Sequence, residues 1–96
     1  MTYNLFVAYD LNKELDSKGY TTLFSAINAL GNATRIQKSL WFVTSQHNAE
    51  VARDHLKKFI DQNDYLIVVE GCHAAWTKLE GQSASFITAN WTPKAR

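Results

Sequence analysis

This 96-residue sequence has few of the residues that crosslink, kink or loosen small proteins: one cysteine, one proline and four glycines. The single cysteine, Cys72, excludes an intramolecular disulfide and a cysteine metal cluster. A formal net charge of +1 excludes a strong overall field for nucleic acid or anionic lipid, so any such contact must come from a local patch. No stretch approaches the roughly 20 apolar residues that a membrane-spanning helix needs.

Apolar residues are plentiful by contrast. They make up 46% of the chain and include five Phe, four Tyr and three Trp, which argues against disorder. The length predicts a single domain over residues 1–91, with a short frayed tail at 92–96. The first residues lack a basic segment followed by a long apolar run, so we expect no signal peptide and a soluble, cytoplasmic protein.

The hydrophobic pattern predicts two strands and two helices, which are, in chain order, Tyr3–Asp10, Tyr20–Leu30, Ala49–Asp61 and Tyr65–Glu70. Asn48 is placed to cap the second helix, and Gly31 follows the end of the first. After Gly71 the pattern weakens. Residues 74–76 begin either a short helix or an irregular segment, and residues 85–88 predict an edge strand.

The stretch RIQKSLWFV, residues 35–43, does not alternate as a half-buried strand should. Its first half is polar, and both faces become apolar in its second half. It is either one bent strand or a tight hairpin near Lys38 and Ser39. The hairpin gives the order β-α-β-β-α-β, which predicts an α+β, ferredoxin-like fold: an antiparallel sheet with two helices on one face, plus a C-terminal extension from about residue 71.

Three of these strands are apolar on both sides, as expected when both faces of a sheet are buried. Two helices cover only one face. The other face must be covered by the C-terminal segment with Trp76 and Trp91, by a second copy of the chain, or by both. We expect a homodimer to which the C-terminal segment contributes. The predicted core consists of Leu5, Val7, Leu23, Ile27, Leu56, Phe59, Ile60, Ile67 and Val69.

Three motifs occur in a recognisable order: YDLNK at residues 9–13, QKSLWF at residues 37–42, and Asn63-Asp64 before the last apolar strand. Together they resemble the small CRISPR-associated spacer-acquisition subunit and the VapD-related superfamily, most closely its stand-alone "SinR family" relatives. Each motif alone is weakly specific, and their order and spacing are more so. The resemblance extends from the first strand to the strand that begins at Tyr65.

The resemblance implies a ferredoxin-like homodimer and, as in some members, a Mg²⁺-dependent nuclease for RNA or DNA. It implies that Asp10 is the metal-binding and catalytic aspartate, with Mn²⁺ as a substitute for Mg²⁺, and that Gln37 and Ser39 belong to the second motif. The sequence also departs from the family. Acidic residues follow Asp10 where basic ones are usual, and Val43 replaces a glutamate, so a CRISPR integrase is not an expected partner.

Asp10 has two interpretations from physical chemistry. In a symmetric dimer two such carboxylates repel each other unless a cation lies between them, and Mg²⁺ suits that position because it needs few protein ligands. Alternatively, Asp10 caps the following loop through a hydrogen bond of its own carboxylate.

Arg35, Gln37, Lys38 and Ser39 are the candidate nucleic-acid-binding residues, since such side chains bind phosphate oxygens. The alternative is that they are ordinary turn and strand-surface residues. The three histidines lack ligand spacing, and the tryptophans are expected to pack in a core or an interface rather than to stack on bases. Two functions therefore remain: a nucleic-acid-associated dimer with nuclease activity, or a non-catalytic ferredoxin-like dimer that binds a protein partner or a small ligand.

Overall fold

The structure is a computed structural model that describes residues 1–12 and 15–93. Its elements are β1 (Tyr3–Asp10), α1 (Ser17–Asn28), β2 (Gly31–Gln37), β3 (Leu40–Ser45), α2 (Ala49–Leu56), β4 (Tyr65–Gly71) and α3 (Ser83–Asn90). The four strands form one antiparallel sheet in the order β2-β3-β1-β4. This confirms the predicted α+β class with an antiparallel sheet, and the arrangement is consistent with a ferredoxin-like fold. None of the described helices is long and apolar enough to cross a membrane.

The two faces of the sheet bury different side chains because strand residues alternate. On the first face, α1 and α2 pack against β1 and β3, and the buried cluster includes Leu5, Val7, Leu23, Ile27, Trp41, Val43 and Leu56. Both helices begin at side-chain caps. Asp16 accepts a hydrogen bond from the Gly19 amide at 2.7 Å, and Asn48 accepts one from the Val51 amide at 2.9 Å.

The second face is covered over β2 and β3 by the C-terminal segment. Ile87 of α3 is buried against Ile36 and Phe42. Trp91 stacks on Phe42 with ring centroids 5.9 Å apart. The expected contribution of the C-terminal segment to this face is therefore confirmed.

The other half of the second face, over β1 and β4, is open in the single chain. Three large side chains are exposed there: Tyr65 by 68%, Ile67 by 59% and Val69 by 45%. With Ala8 and Asp10, which lie opposite Ile67 and Tyr65 on β1, they form what we call the open strip. The prediction of Ile67 and Val69 as core residues was wrong for one chain, because β4 turns Leu66 and Val68 toward the helices instead.

Several predicted boundaries also need correction. Helix α1 begins at Ser17 rather than Tyr20, because the Asp16 cap lies before it. Helix α2 ends at Leu56 and is followed by a 3₁₀ turn at Lys57–Phe59, which leaves Phe59 and the following Ile60 only partly buried.

The C-terminal predictions need larger corrections. The predicted edge strand at residues 85–88 lies inside α3, where Phe86 and Ile87 pack against the Phe42 cluster. Thr92 is not frayed: its amide donates to Asn4 Oδ1 at 2.8 Å, and Asn4 Nδ2 donates to the Thr92 carbonyl at 2.7 Å. The rest of the predicted tail at 94–96 lies outside the described residues.

The irregular alternation of residues 35–43 has a structural cause. The chain forms a hairpin whose turn lies at Lys38 and Ser39, and the β2–β3 register shifts between Arg35 and Gln37. This bulge places one extra residue, Ile36, opposite the partner strand. Beyond the turn, Trp41 enters the first cluster and Phe42 the second, so both faces of β3 are buried.

Leu56→Ala should destabilise the protein by roughly 2–5 kcal/mol, through lost burial and the cavity left behind. Leu56 is fully buried where α2 meets the sheet. The measurement is urea denaturation at fixed protein concentration. Val51→Ala on the same helix is the control, because Val51 is 47% exposed and its truncation should change stability by less than roughly 0.5 kcal/mol. Equal losses for the two variants would contradict this assignment of the α2 face.

Candidate metal and nucleic-acid site

Asp10 ends β1 on the second face of the sheet, at one end of the open strip. It lies opposite Tyr65 in the β1–β4 register and is exposed. A shallow hollow of about 380 Å³ lies against it and is lined by Ala8, Tyr9, Asp10, Tyr65, Leu66 and Ile67. The Asp10 carboxylate is therefore solvent-exposed and lies beside apolar side chains rather than inside a closed pocket.

The loop that follows Asp10 is held by other side chains. The Asn12 amide donates to Asp64 Oδ1 at 2.8 Å, and Asn12 Nδ2 donates to the Asn63 carbonyl at 2.5 Å. Asp64 Oδ2 also accepts from the Asp61 amide at 2.8 Å, so Asp64 joins this loop to the turn before β4. Within residues 1–12 and 15–93, Asp10 forms no such capping bond. The motif residues Asn12, Asn63 and Asp64 thus hold the described part of the loop, and the Asp10 side chain takes no part in these bonds.

The turn with the second motif lies at the same edge of the sheet as Asp10. The Tyr9 amide donates to the Ser39 carbonyl at 3.2 Å, and the Tyr9 hydroxyl donates to the Lys38 carbonyl at 3.4 Å. Arg35 donates to the same carbonyl from Nε at 3.2 Å and from Nη2 at 2.9 Å. The structure thereby brings Asp10 and all four candidate nucleic-acid residues to one end of the molecule, although they come from separate strands.

Arg35 is also positioned from the helix side. Its guanidinium carbon lies 4.9 Å from the centroid of the Phe24 ring, in the geometry of a cation–π contact. Phe24 in turn packs on Trp41 with ring centroids 5.2 Å apart. Arg35 is therefore a fixed cation at the surface, held between α1 and the turn.

Two hollows flank this turn. The larger, about 560 Å³, lies on the side of the C-terminal segment and is lined by Arg35, Ile36, Gln37, Lys38, Lys78, Leu79 and Glu80. The smaller, about 320 Å³, lies on the side of α1 and is lined by Ser17, Tyr20, Thr21, Phe24, Arg35, Lys38 and Ser39. Lys78 was missed by the sequence analysis, because a lysine in a segment of unclear structure gives no signal of its place.

The cations around the turn have no carboxylate partner in the described chain. The ion pairs formed there are Arg53–Asp54 at 3.0 Å and Lys57–Asp54 at 3.7 Å, both centred on α2. The hydrogen bond from Arg53, together with the nearby charges, lowers the pKa of Asp54 below its ordinary value. The positive charges of Arg35, Lys38 and Lys78 are thus available to an anion.

No group of three or more metal-ligating side chains forms within residues 1–12 and 15–93. His55 instead contacts the Ala26 carbonyl at 3.2 Å and packs on Phe59 with ring centroids 5.5 Å apart. A metal site at Asp10 would therefore need ligands beyond the described residues of one chain, such as those of a second copy, of the nucleic acid or of water.

The three tryptophans differ in environment. Trp41 is buried, and its Nε1 donates to the Tyr9 hydroxyl at 3.4 Å. Trp91 packs on Phe42 and Phe6. These two confirm the predicted packing role, whereas Trp76 is 41% exposed on the C-terminal segment.

No family model matches this chain. Among solved structures, the chain is similar to a hypothetical protein, TT1823, from Thermus thermophilus. The two share 20% identity with a TM-score of 0.57, over 82% of this chain and 95% of that one. At that identity the likeness is evidence for the fold alone. Fold and site together define an α+β protein with an open apolar strip that ends at an aspartate beside a basic turn.

Proposed function

We propose that this protein is a homodimer that associates with nucleic acid, and that the Asp10 side chains of two copies hold a Mg²⁺ ion for phosphodiester cleavage. The observation that carries the proposal is the open strip. It places Asp10 at the end of a row of exposed apolar side chains, where a second copy would cover them.

We further infer that the topology is the split βαβ arrangement of ferredoxin-like proteins. The inference is supported by the chain order of the elements and by the strand order β2-β3-β1-β4. It is also supported by the packing of α1 and α2 into one cluster, with α3 added on the opposite face.

The open strip has the character of an interface between identical chains. Contiguous apolar side chains at a surface mark interaction sites. In a two-fold dimer the same patch serves both chains, so residues close to the axis meet their own copies. An axis near the Tyr65 end of the strip would therefore bring the two Asp10 carboxylates together.

The residues present fit a magnesium ion in that arrangement. Each Asp10 carboxylate is exposed and takes no part in the hydrogen bonds of the described loop residues, so its oxygens can serve as ligands. Two adjacent carboxylates raise each other's pKa unless a cation neutralises them. When bound, Mg²⁺ would polarise a phosphodiester and lower the pKa of a bound water. Arg35 and Lys38 on the neighbouring turn would orient the nucleic-acid backbone by its phosphates.

The alternative function is a non-catalytic dimer that binds a protein partner or a small ligand. It is favoured by the near-neutral charge of +1 and by the single carboxylate that each described chain offers at the strip. It uses the same interface but needs no metal. Stoichiometric binding of one Mn²⁺ per two chains, measured by electron paramagnetic resonance, would favour the metal-binding dimer.

Ile67→Asp should convert the dimer into a monomer, because a charged side chain would be buried without a partner at the centre of the interface. Sedimentation at micromolar concentration should give twice the chain mass for the unaltered protein and the chain mass for the variant. Val51→Asp is the matched control, since Val51 is also exposed but lies on α2. If the unaltered protein sediments as a monomer, the open strip is not a dimer interface, and both proposed dimer functions are wrong.

A further inference from the structure

We propose that single-stranded nucleic acid binds along the C-terminal segment, with phosphates in the larger hollow beside the β2–β3 turn and a base stacked on Trp76. This hollow is called the extension groove; its polar lining residues are Arg35, Gln37, Lys38, Lys78 and Glu80. The inference rests on the proposed association with nucleic acid. It adds a binding surface that shares turn residues with the proposed Asp10 site, continues along the C-terminal segment and needs no metal.

The charge of the extension groove suits a phosphate backbone. Its lining residues include two lysines, Lys38 and Lys78, and one anion, Glu80, whereas the Arg35 guanidinium lies on the α1 side against Phe24. Within residues 1–12 and 15–93 none of these cations has a carboxylate within ion-pair distance. A chain of near-zero net charge therefore concentrates positive charge at one groove. Arginine, lysine and glutamine side chains are all donors to phosphate oxygens.

Part of the groove is rigid before any ligand arrives. The turn that carries Gln37 and Lys38 is held by two hydrogen bonds from Arg35 to the Lys38 carbonyl, and the Arg35 guanidinium is itself packed against the Phe24 ring on the α1 side. The opposite wall is anchored as well, since Leu79 packs against the Phe42 cluster and the Ser83 hydroxyl donates to the Arg35 carbonyl at 3.2 Å. Lys78 projects from this anchored segment, so little ordering of the backbone is needed for binding.

Trp76 supplies the second, independent observation. Its side chain is 41% exposed, whereas Trp41 and Trp91 are occupied by aromatic packing. Only one residue separates Trp76 from Lys78, so their Cα atoms lie within roughly 7 Å of each other. Trp76 lines a neighbouring hollow with Ala74, Ile87, Thr88 and Trp91. A cationic groove that is followed along the chain by a part-exposed aromatic ring suits a single strand, because every unpaired base offers a face for stacking. A duplex keeps those faces stacked on one another, so we expect weaker binding of double-stranded DNA.

The test is fluorescence anisotropy with labelled oligo-dU, oligo-rU and a DNA duplex, in EDTA and over a series of salt concentrations. Lys78→Ala should weaken binding of the single strands several-fold and lower the magnitude of the log–log salt slope by about 0.7, because one phosphate contact is lost. Lys58→Ala is the matched control. It removes the same charge from an exposed site after α2 and should leave binding almost unchanged.

Three further variants test the stacked base and the sign of the charge. Trp76→Ala should weaken binding by roughly 5- to 100-fold, and Trp76→Phe should retain most of it, since a ring remains for stacking. Circular dichroism checks that both variants fold. Glu80→Gln should tighten binding, because it removes the one anion of the extension groove. Comparison of oligo-dU with oligo-rU, which differ only in the 2′-hydroxyl, identifies the sugar that the groove accepts.

Three results would contradict binding in the extension groove. They are no binding of either single strand in EDTA, equal losses of affinity for Lys78→Ala and Lys58→Ala, and tighter binding of the duplex than of the single strands. Asp10→Asn distinguishes this site from the proposed metal site. If binding in EDTA depends on Lys78 and Trp76 and is unchanged by Asp10→Asn, the groove is supported even where metal-dependent cleavage is absent. If cleavage needs Asp10 while binding of the single strands in EDTA is unchanged by Lys78→Ala and by Trp76→Ala, the groove is wrong and the proposed function stands.

Discussion

Asp10→Asn is expected to abolish Mg²⁺-dependent cleavage of RNA or DNA and to leave a folded dimer. The substitution keeps the shape of the side chain and removes the anionic ligands from both copies at once. The cleavage rate should fall by more than roughly 100-fold, because substitution of residues that only hydrogen-bond to metal ligands already lowers metal affinity or activity by about 10- to 100-fold. The measurement is the cleavage rate of labelled RNA and DNA in Mg²⁺, in Mn²⁺ and in EDTA, where the unaltered protein should also be inactive.

The same substitution, although it should abolish cleavage, is expected to increase the stability of the metal-free protein. In the proposed dimer without metal, the two Asp10 carboxylates would repel each other, so Asp10→Asn should raise the thermal midpoint of the metal-free protein. The matched control is Asp61→Asn, which makes the same chemical change in an exposed turn before β4. It should change neither cleavage nor the midpoint by a comparable amount.

The alternative role of Asp10 gives a different pattern. If Asp10 only capped its loop, asparagine would replace it with little change in stability, because asparagine caps well too. Cleavage that survives Asp10→Asn would assign the activity to another site or to a contaminating nuclease. Absence of cleavage on every substrate, with no metal bound, would support the non-catalytic dimer.

Phe42→Ala is expected to cost roughly 3–5 kcal/mol of folding free energy. Phe42 is fully buried, and its ring contacts those of Phe6, Phe86 and Trp91 at centroid distances of 5.5, 6.4 and 5.9 Å. Its removal would take away the surface on which α3 and the end of the C-terminal segment pack. The change should therefore weaken the attachment of that segment as well as overall stability.

Chemical denaturation and limited proteolysis would measure the two parts of that prediction. In Phe42→Ala, residues after Gly71 should become the first sites of cleavage, because their packing is lost. Phe42→Leu keeps an apolar side chain in the cluster and should show a smaller loss. A Phe42→Ala protein that is as stable as the unaltered one would contradict the burial of this ring.

The first and last strands and the start of the second helix were predictable because local signals and tertiary contacts agree there, whereas β2 begins at Gly31, which was predicted as the stop of the first helix. β1 has its predicted bounds, Tyr3–Asp10, and α2 begins after the predicted cap at Asn48. α3 was not predictable in the same way. Its Phe-Ile-Thr stretch favours a strand by propensity, yet packing of Ile87 on Phe42 overrides that preference.

The candidate site was also predictable only in part. Asp10 and the residues of the β2–β3 turn were named from sequence, since they carry the motifs. Their position at the same end of the sheet is set by the β1–β3 register, in which the turn is hydrogen-bonded to Tyr9, the neighbour of Asp10. The position of Lys78 and the exposure of Trp76 could not be predicted, because the local sequence of the C-terminal segment does not indicate which residues it packs against.

By itself, then, the sequence determined the alternation of strands and helices, the excess of apolar surface on the sheet and the identity of the polar side chains at one end of β1. Tertiary structure alone decided which of those apolar residues are covered. It buried Phe42 beneath α3 and left Ile67 and Val69 exposed, although all three lie on the same face of the sheet. The reason is physical: local periodicity fixes the side of a strand that a residue faces, but long-range packing fixes what lies on that side.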